Sequence, residues 1–338
     1  MRALCLLVRL LLIPLCAAPI GAQSSPDKSP LPQPLPPVAQ NAQGGVRVDQ
    51  NQPLPLGKLV DVGGYRVHLY CTGSGSPIVV IVGAGFSFDW GLVQPEVAKF
   101  TQVCSYDHSG IGWSDPGPKD SCSLRASEVH AALNNSGIKG PYVLVGYSLG
   151  GLVARTYASR YPDEVAGMVF VDHAFMLVSA GLGPAPPPTD AKVPPPPAAS
   201  TSPIPSGGGI ESDPNFSKLS SRDRQLHVWA TAQTRNQMAP QANMEIMSQC
   251  VAAADAIAKE HSHPFGDKPL VDVSRVPDES GSFGRSYAKL QADLLSLSQN
   301  SKQMIAEKSG HFIIIDRPDV VVDAIGQVVQ SLRNRTKF

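Results

Sequence analysis

Short, continuously apolar runs alternate along the chain with stretches whose apolar residues recur every three or four positions. The apolar runs predict buried strands at "PIVVIV", "TQVCSYD", "PYVLVGY", "VAGMVFVD" and "PLVDVS". The intervening "SLRASEVHAALNN" and "LGGLVARTYASRY", and a C-terminal stretch with Val321, Ile325 and Val328 on one face, predict helices. Strands that are apolar throughout are typical of a parallel sheet covered on both faces. The pattern therefore predicts an α/β fold with a mostly parallel sheet and helices on both faces.

The alternation of strands and helices is interrupted once. Residues 173–268 contain the low-complexity stretch 181–214, with "GPAPPPTD" and "VPPPPAAS", followed by residues with helical spacing. We interpret 173–268 as a helical lid inserted into the sheet domain. That domain then consists of residues 58–172 and 269–338. It opens with "KLVDVGGYRVHLYC", whose two alternating runs around a Gly-Gly pair predict an N-terminal β-hairpin.

Two segments of different composition precede the sheet domain. Residues 1–22 combine Arg2, the apolar run "ALCLLVRLLLIPL" and the small residue Ala22, a pattern typical of a signal peptide. A membrane anchor is the alternative, but the apolar run is short and is interrupted by Arg9. Residues 23–57 are rich in Pro, Gln and Ser, which predicts a disordered tether. We therefore expect an exported protein, periplasmic or extracellular.

Charge and cysteine content narrow the possible partners and the compartment. The 28 Lys and Arg residues balance 28 Asp and Glu, so no basic surface for nucleic acid is indicated. Removal of the signal peptide leaves Cys71, Cys104, Cys122 and Cys250. An even number of cysteines in an exported protein predicts two disulfides, with three connectivities open, although buried free thiols are the alternative. The closely spaced histidines in "HSHPFGD" lie in a predicted loop and rarely bind metal in that arrangement, so no metal site is predicted.

A serine flanked by glycines, in "GYSLGG", follows the apolar run "YVLV" directly. A strand that turns abruptly into a helix forces the turn residue into positive φ, and the residues two positions away must then be very small. Gly146 and Gly150 meet this requirement around Ser148. The turn would hold the Ser148 hydroxyl above the sheet, at a helix N-terminus whose N–H groups favour a developing negative charge.

A serine nucleophile needs a base and an oxyanion site. His311, in "KSGHFIII", lies in a predicted loop between the last strand and the last helix, where it could meet Ser148. The glycine-rich "VGAGF" follows the strand "PIVVI" and lets the backbone approach a ligand closely. We expect the N–H groups of Ala84 and Leu149 to bind the oxyanion. A phosphate-binding loop is the rival interpretation, but the required lysine and spacing are missing.

These motifs resemble the α/β-hydrolase fold family, in its lid-bearing, esterase-like branch. The resemblance extends over nearly all of residues 58 to 335 and rests on "VGAGF", "YDHSGIGWSD", "GYSLGG" and "SGHFI". The sequence departs from the family at Val82, where a histidine is common, and at Asp107-His108, where Asp-Arg is common. Family members with an aspartate nucleophile hydrolyse epoxides or remove halogens, and Ser148 argues against both reactions.

The resemblance implies an acid that orients His311, and two residues qualify. The family most often places this acid after the strand corresponding to "PLVDVS", which points to Asp278. A minority, including haloalkane dehalogenases, place it one strand earlier, which points to Asp172 at the end of "GMVFVD". A carboxylate that ends an apolar strand is costly to bury without a partner. We therefore favour Asp172 and keep Asp278 as the alternative.

The sequence thus predicts an exported serine hydrolase with a Ser148–His311–Asp172 triad and an acyl-enzyme, acting on a small-molecule ester without a cofactor. Perhydrolysis or carbon–carbon bond hydrolysis could use the same triad. A non-catalytic binding protein with this fold is the alternative of another class. We expect a monomer or a weak oligomer.

Overall fold

The computed structural model describes residues 52–173, 181, 209–233, 246–252, 263–276 and 281–338. Residues 53 to 338 belong to one unit. The predicted signal peptide, most of the predicted tether, most of the Pro-rich stretch and Asp278 lie outside the described residues. The proposed domain boundaries therefore remain predictions.

Eight strands form one sheet in the order β1-β2-β4-β3-β5-β6-β7-β8. The first two strands form the predicted hairpin, and β2 pairs with β4 in antiparallel orientation. All other neighbouring pairs are parallel. The predicted sheet, mostly parallel with an N-terminal hairpin, is confirmed. The strands are β1 Lys58–Asp61, β2 Arg66–Thr72, β3 Ile78–Val82, β4 Val103–Asp107, β5 Tyr142–Tyr147, β6 Val165–Val171, β7 Leu270–Arg275 and β8 Ser301–Ala306.

Helices cover both faces of the sheet, and each face has its own apolar core. Leu144 of β5 packs into the core that contains residues of α2 and α3, whereas Val143 and Val145 pack into the core that contains α7. This alternation of side chains explains why the central strands are apolar at every position. The helices are α1 Gln94–Val97, α2 Cys122–Asn135, α3 Gly150–Arg160, α4 Ser221–Thr231, α5 Ser282–Leu295, α6 Ile313–Asp316 and α7 Pro318–Asn334.

The stretch "DWGLVQPEVAKF", predicted as one helix, forms two shorter pieces. A 3₁₀ turn spans Ser87–Trp90, and α1 starts separately four residues later with a proline in its first turn. Proline lacks the N–H that a continuing helix would need and is tolerated only near a helix start. The proline therefore accounts for the break.

The chain between β6 and β7 is described in part. It contains the 3₁₀ turns Ile210–Ser212 and Pro214–Lys218, helix α4, and a helical segment at residues 246–252. These are the described parts of the predicted lid, 173–268. Across the described ranges, no helix is both long enough and apolar enough to cross a membrane.

Two disulfides join the four cysteines that follow the predicted signal peptide. Cys71 and Cys104 are direct partners on the neighbouring strands β2 and β4. Cys122, the first residue of α2, is bonded to Cys250 in the helical segment 246–252. The prediction of two disulfides agrees with the structure, which also selects one of the three connectivities.

Candidate active site

Ser148 occupies a strained turn between β5 and α3. Its φ of 55° lies in the left-handed region, which a residue other than glycine seldom adopts. A Cβ added to Gly150 would lie 1.8 Å from the carbonyl oxygen of Val82, and one added to Gly146 would lie 2.7 Å from the Cα of Gly151. Only glycine fits at both positions, as the sequence predicts, because the turn brings backbone segments into contact.

His311 is brought to Ser148 from a loop between β8 and α6. The distance between Ser148 Oγ and His311 Nε2 is 3.1 Å. The Tyr147 hydroxyl donates a hydrogen bond to the His311 carbonyl oxygen at 3.2 Å, and the two rings stack with centroids 5.2 Å apart. The last residue of β5 therefore fixes the loop on which His311 lies.

Asp172 completes the arrangement on the other side of His311. It follows β6 directly, is fully buried, and has a φ of 43°. Its Oδ2 accepts a hydrogen bond from His311 Nδ1 at 2.7 Å. The structure therefore brings together Ser148, His311 and Asp172, while Asp278 lies outside the described residues.

The two backbone N–H groups predicted to bind an oxyanion lie on segments that touch each other. Ala84 follows β3, and Leu149 is the N-cap residue of α3. The contact between Gly150 and the end of β3 brings these two segments together. Within the described part of the chain, neither N–H group donates a hydrogen bond.

Tyr287 and Arg275 also contact Asp172, and the sequence analysis did not single them out. The Tyr287 hydroxyl donates to Asp172 Oδ1 at 2.5 Å, and Arg275 Nε lies 3.8 Å from Asp172 Oδ2. Burial and the Asp172 charge raise the pKa of Tyr287 well above its usual value, so the phenol stays protonated. No sequence signal identified Tyr287, because an aromatic residue on an amphipathic helix is typical of ordinary core packing.

Two further buried groups lie close to the proposed triad. His173 Nδ1 is 3.0 Å from the Ser148 carbonyl oxygen, and burial with the nearby Arg155 charge lowers the pKa of His173 to about 3. The ring is therefore neutral and donates from Nδ1 to that carbonyl. Asp272 of β7 is fully buried, and desolvation followed by repulsion from Asp172 raises the pKa of Asp272 to about 8. Asp272 is therefore mostly protonated at neutral pH.

A second carboxylate–imidazole cluster lies beside the Ala84 loop. Asp89 Oδ2 accepts from the Phe86 N–H at 3.0 Å, and Asp89 Oδ1 lies 2.7 Å from His227 Nδ1 of α4. His227 Nε2 lies 3.0 Å from Glu211 Oε2. Burial alone would lower the pKa of His227, but the hydrogen bonds and charges of Asp89 and Glu211 raise it. Across the described ranges, no group of three His, Cys, Asp or Glu side chains is arranged to hold a metal ion.

Comparison with known proteins agrees with the fold. Residues 77–195 match the family model for the alpha/beta hydrolase fold. The chain is 23% identical over 283 residues to an AB hydrolase superfamily protein of Gibberella zeae, covering 72% of this chain and 83% of that protein. It is 34% identical over 131 residues to the 2-hydroxymuconate semialdehyde hydrolase of Pseudomonas sp. strain CF600, covering 37% and 46%. A further match, 40% identical over 81 residues, spans only 15% of an uncharacterised Schizosaccharomyces pombe protein.

Solved structures share the architecture at low sequence identity. The epoxide hydrolase CorEH superposes with a TM-score of 0.57 at 18% identity, covering 82% of this chain and 98% of that one. The meta-cleavage product hydrolase CumD superposes with a TM-score of 0.53 at 18% identity, covering 80% and 98%. Together with the strand order and the turn at Ser148, these matches show that the chain has the α/β-hydrolase fold.

Proposed function

We propose that this protein is a serine hydrolase that cleaves a carboxylic ester through an acyl-enzyme. The observation that carries the proposal is the continuous chain of contacts from Ser148 Oγ to His311 Nε2, and from His311 Nδ1 to Asp172 Oδ2, at 3.1 Å and 2.7 Å. A serine hydroxyl is a weak nucleophile at neutral pH and needs a base at this distance.

The proposed reaction has two halves. His311 Nε2 takes the Ser148 proton while Oγ attacks the ester carbonyl, and the protonated ring then gives this proton to the leaving alcohol. Asp172 holds the Nδ1–H tautomer and stabilises the charged ring. In the second half, His311 removes a proton from water as the water attacks the acyl carbonyl. The ring then gives this proton to Ser148 Oγ as the bond to the acyl group breaks, which releases the acid and regenerates free Ser148.

We propose that the negative charge formed on the carbonyl oxygen is bound by the N–H groups of Ala84 and Leu149. Two observations support this role: the segments that carry them are in contact, and neither N–H group donates elsewhere within the described residues. Donors fixed in this way need no reorganisation as charge develops, and one such donor contributes about 3–4 kcal/mol of transition-state stabilisation.

Carbon–carbon bond hydrolysis is a second candidate. It is favoured by the 34% identity over 131 residues to a 2-hydroxymuconate semialdehyde hydrolase, and it could use the same three side chains. We also propose that the protein is exported. The two disulfides support this proposal, because such bonds persist mainly outside the reducing cytosol.

The test combines covalent labelling with turnover. A fluorophosphonate probe should label the protein stoichiometrically, and p-nitrophenyl esters of increasing acyl length should be hydrolysed. Ser148→Ala should abolish labelling and lower kcat by several orders of magnitude. Ser105→Ala provides a matched control, because Ser105 is equally buried but its hydroxyl donates a hydrogen bond to Gln94 in the core.

The outcomes separate the alternatives. Labelling and ester turnover that persist in Ser148→Ala would rule out the proposed nucleophile. An unlabelled wild-type protein would favour the non-catalytic binding protein. Rapid cleavage of a 2-hydroxy-6-oxo-dienoate together with slow ester turnover would favour carbon–carbon bond hydrolysis.

A further inference from the structure

The Asp172 carboxylate has more contacts than a triad alone requires. Its Oδ2 faces His311 Nδ1 at 2.7 Å, and the Arg275 guanidinium lies 3.8 Å from the same oxygen. Its Oδ1 accepts from the Tyr287 hydroxyl at 2.5 Å. The two carboxylate oxygens therefore accept hydrogen bonds from different side chains, Oδ2 from His311 and Oδ1 from Tyr287.

We propose that Tyr287 is a positioning residue that holds the Asp172 carboxylate in the orientation required by His311. This inference rests on the proposed function, because it gives Tyr287 a role in the same triad. Asp172 lies on strained backbone, with a φ of 43°. Rotation about its side-chain bonds would let the carboxylate turn toward Arg275 and away from His311. The hydrogen bond to Oδ1 opposes that rotation.

The direction of the Tyr287 hydrogen bond is fixed by a second contact. The backbone N–H of Arg275, the last residue of β7, donates to the Tyr287 oxygen at 3.2 Å. Because the hydroxyl already accepts there, its single hydrogen is left for Asp172. The strand next to β6 thus orients a phenol on α5, which in turn orients the carboxylate at the end of β6.

The position of the phenol ring is also fixed. Tyr287 is 1% exposed, so water has little access to replace its hydroxyl. The Arg275 guanidinium lies over the Tyr287 ring, 5.4 Å from its centroid, and Phe283 stacks on it at 6.3 Å. A donor held this tightly is suited to orient a reactive group.

Tyr287→Phe tests the inference, because it removes the hydroxyl and keeps the ring. Tyr157→Phe is the matched control. The Tyr157 hydroxyl donates to Glu164 at 2.5 Å and its ring is fully buried, but Glu164 precedes β6 whereas Asp172 follows it. The seven residues of β6 lie between them, so the Cα atoms of Glu164 and Asp172 are about 25 Å apart.

We expect Tyr287→Phe to lower kcat about 10- to 100-fold, the range typical of lost positioning contacts around a metal site, with KM changed less than about twofold. The acidic limb of the plot of kcat/KM against pH should move, because the substitution alters the orientation of Asp172, which contacts the His311 ring. Tyr157→Phe should leave both parameters within about twofold of wild type. Equal losses in the two variants, or an unchanged kcat in a folded Tyr287→Phe protein, would overturn the inference.

A second measurement does not depend on turnover. The proton shared by His311 Nδ1 and Asp172 should give a far-downfield ¹H NMR signal, which His311→Gln should abolish. That signal should shift or broaden in Tyr287→Phe, less in Arg275→Met, and not in Tyr157→Phe. A larger change in Arg275→Met would indicate that charge, and not the phenol, controls Asp172.

The two proposals fail in different ways. If no ester is cleaved and no probe binds, but the NMR signal still responds to Tyr287→Phe, the positioning role stands without the proposed function. If esters are cleaved through Ser148 and Tyr287→Phe changes neither kcat nor the NMR signal, the proposed function stands and the inference is wrong.

Discussion

His227 of α4 lies 2.7 Å from Asp89, the residue that caps the turn after the Ala84 loop. Both side chains are buried, and the other ring nitrogen of His227 contacts Glu211. Asp89 also accepts a hydrogen bond from the Phe86 N–H, next to the loop that carries the proposed oxyanion donor Ala84. The buried His227 ring therefore connects this loop to the chain between β6 and β7. The predicted lid therefore has a polar attachment to the candidate site.

This cluster predicts a pH-dependent contribution to stability. The pKa of His227 is raised in the folded protein. The protonated ring therefore contributes its full stabilisation at pH values below the unfolded-state pKa of about 6.5, and this contribution declines as pH rises through the folded-state pKa of His227. His227→Gln should lower the free energy of unfolding by about 2 kcal/mol at pH 6, and the loss should shrink toward pH 8.5. Urea unfolding across this range measures it, with the exposed His263→Gln as control. A loss that grows with pH would contradict the assignment.

The choice between two acids can be tested directly. Asp172→Asn should lower kcat by on the order of 10³–10⁴-fold, because an amide no longer selects the Nδ1–H tautomer of His311. Asp278→Asn is the paired control and should retain most activity. Turnover of an activated ester by both folded proteins decides between them. The reverse pattern would show that the commoner arrangement of the family applies.

We predict that replacing the buried carboxyl group of Asp272 by a neutral amide stabilises the folded protein at neutral pH. Its folded pKa is raised to about 8, whereas an unfolded aspartate titrates near pH 3.9, so the folded state holds an extra proton between these values. Stability therefore falls as pH rises through that window, by up to about 1.4 kcal/mol per pH unit. Asp272→Asn should match wild type near pH 4 and exceed it increasingly toward pH 8. The exposed Asp323→Asn should show no such divergence in urea unfolding.

The two disulfides differ in the length of chain that they close. Cys122–Cys250 closes 128 residues and Cys71–Cys104 closes 33. The chain-entropy model assigns them about 5 and about 4 kcal/mol, respectively. Replacing both cysteines of a pair by serine should therefore destabilise the protein more for Cys122–Cys250, as measured by urea unfolding. Limited proteolysis of that variant should cut near residues 246–252, in the predicted lid, before it cuts within the sheet domain. Equal resistance in the two double variants would argue against the assignment.

Features set by neighbouring residues could be predicted from the sequence. Apolar runs predicted the central strands, because a strand buried on both faces is apolar at most of its positions. The turn at Ser148 was equally predictable, since the crowding that demands Gly146 and Gly150 acts over two residues in each direction. The proline in "DWGLVQPEVAKF" is also a local signal. The prediction of a single helix there was wrong because this proline separates a 3₁₀ turn from α1.

Contacts between distant parts of the chain were decided only by the tertiary structure. Asp172 meets His311 from 139 residues away and Tyr287 from 115, and His227 meets Asp89 across 138. The sequence limited the acid to two carboxylates that follow neighbouring strands, and it gave no sign of Tyr287. Periodicity reports which face a side chain occupies, but not its partner. The strand order brings the ends of β6, β7 and β8 to one edge of the sheet, and it therefore determines which of these side chains meet.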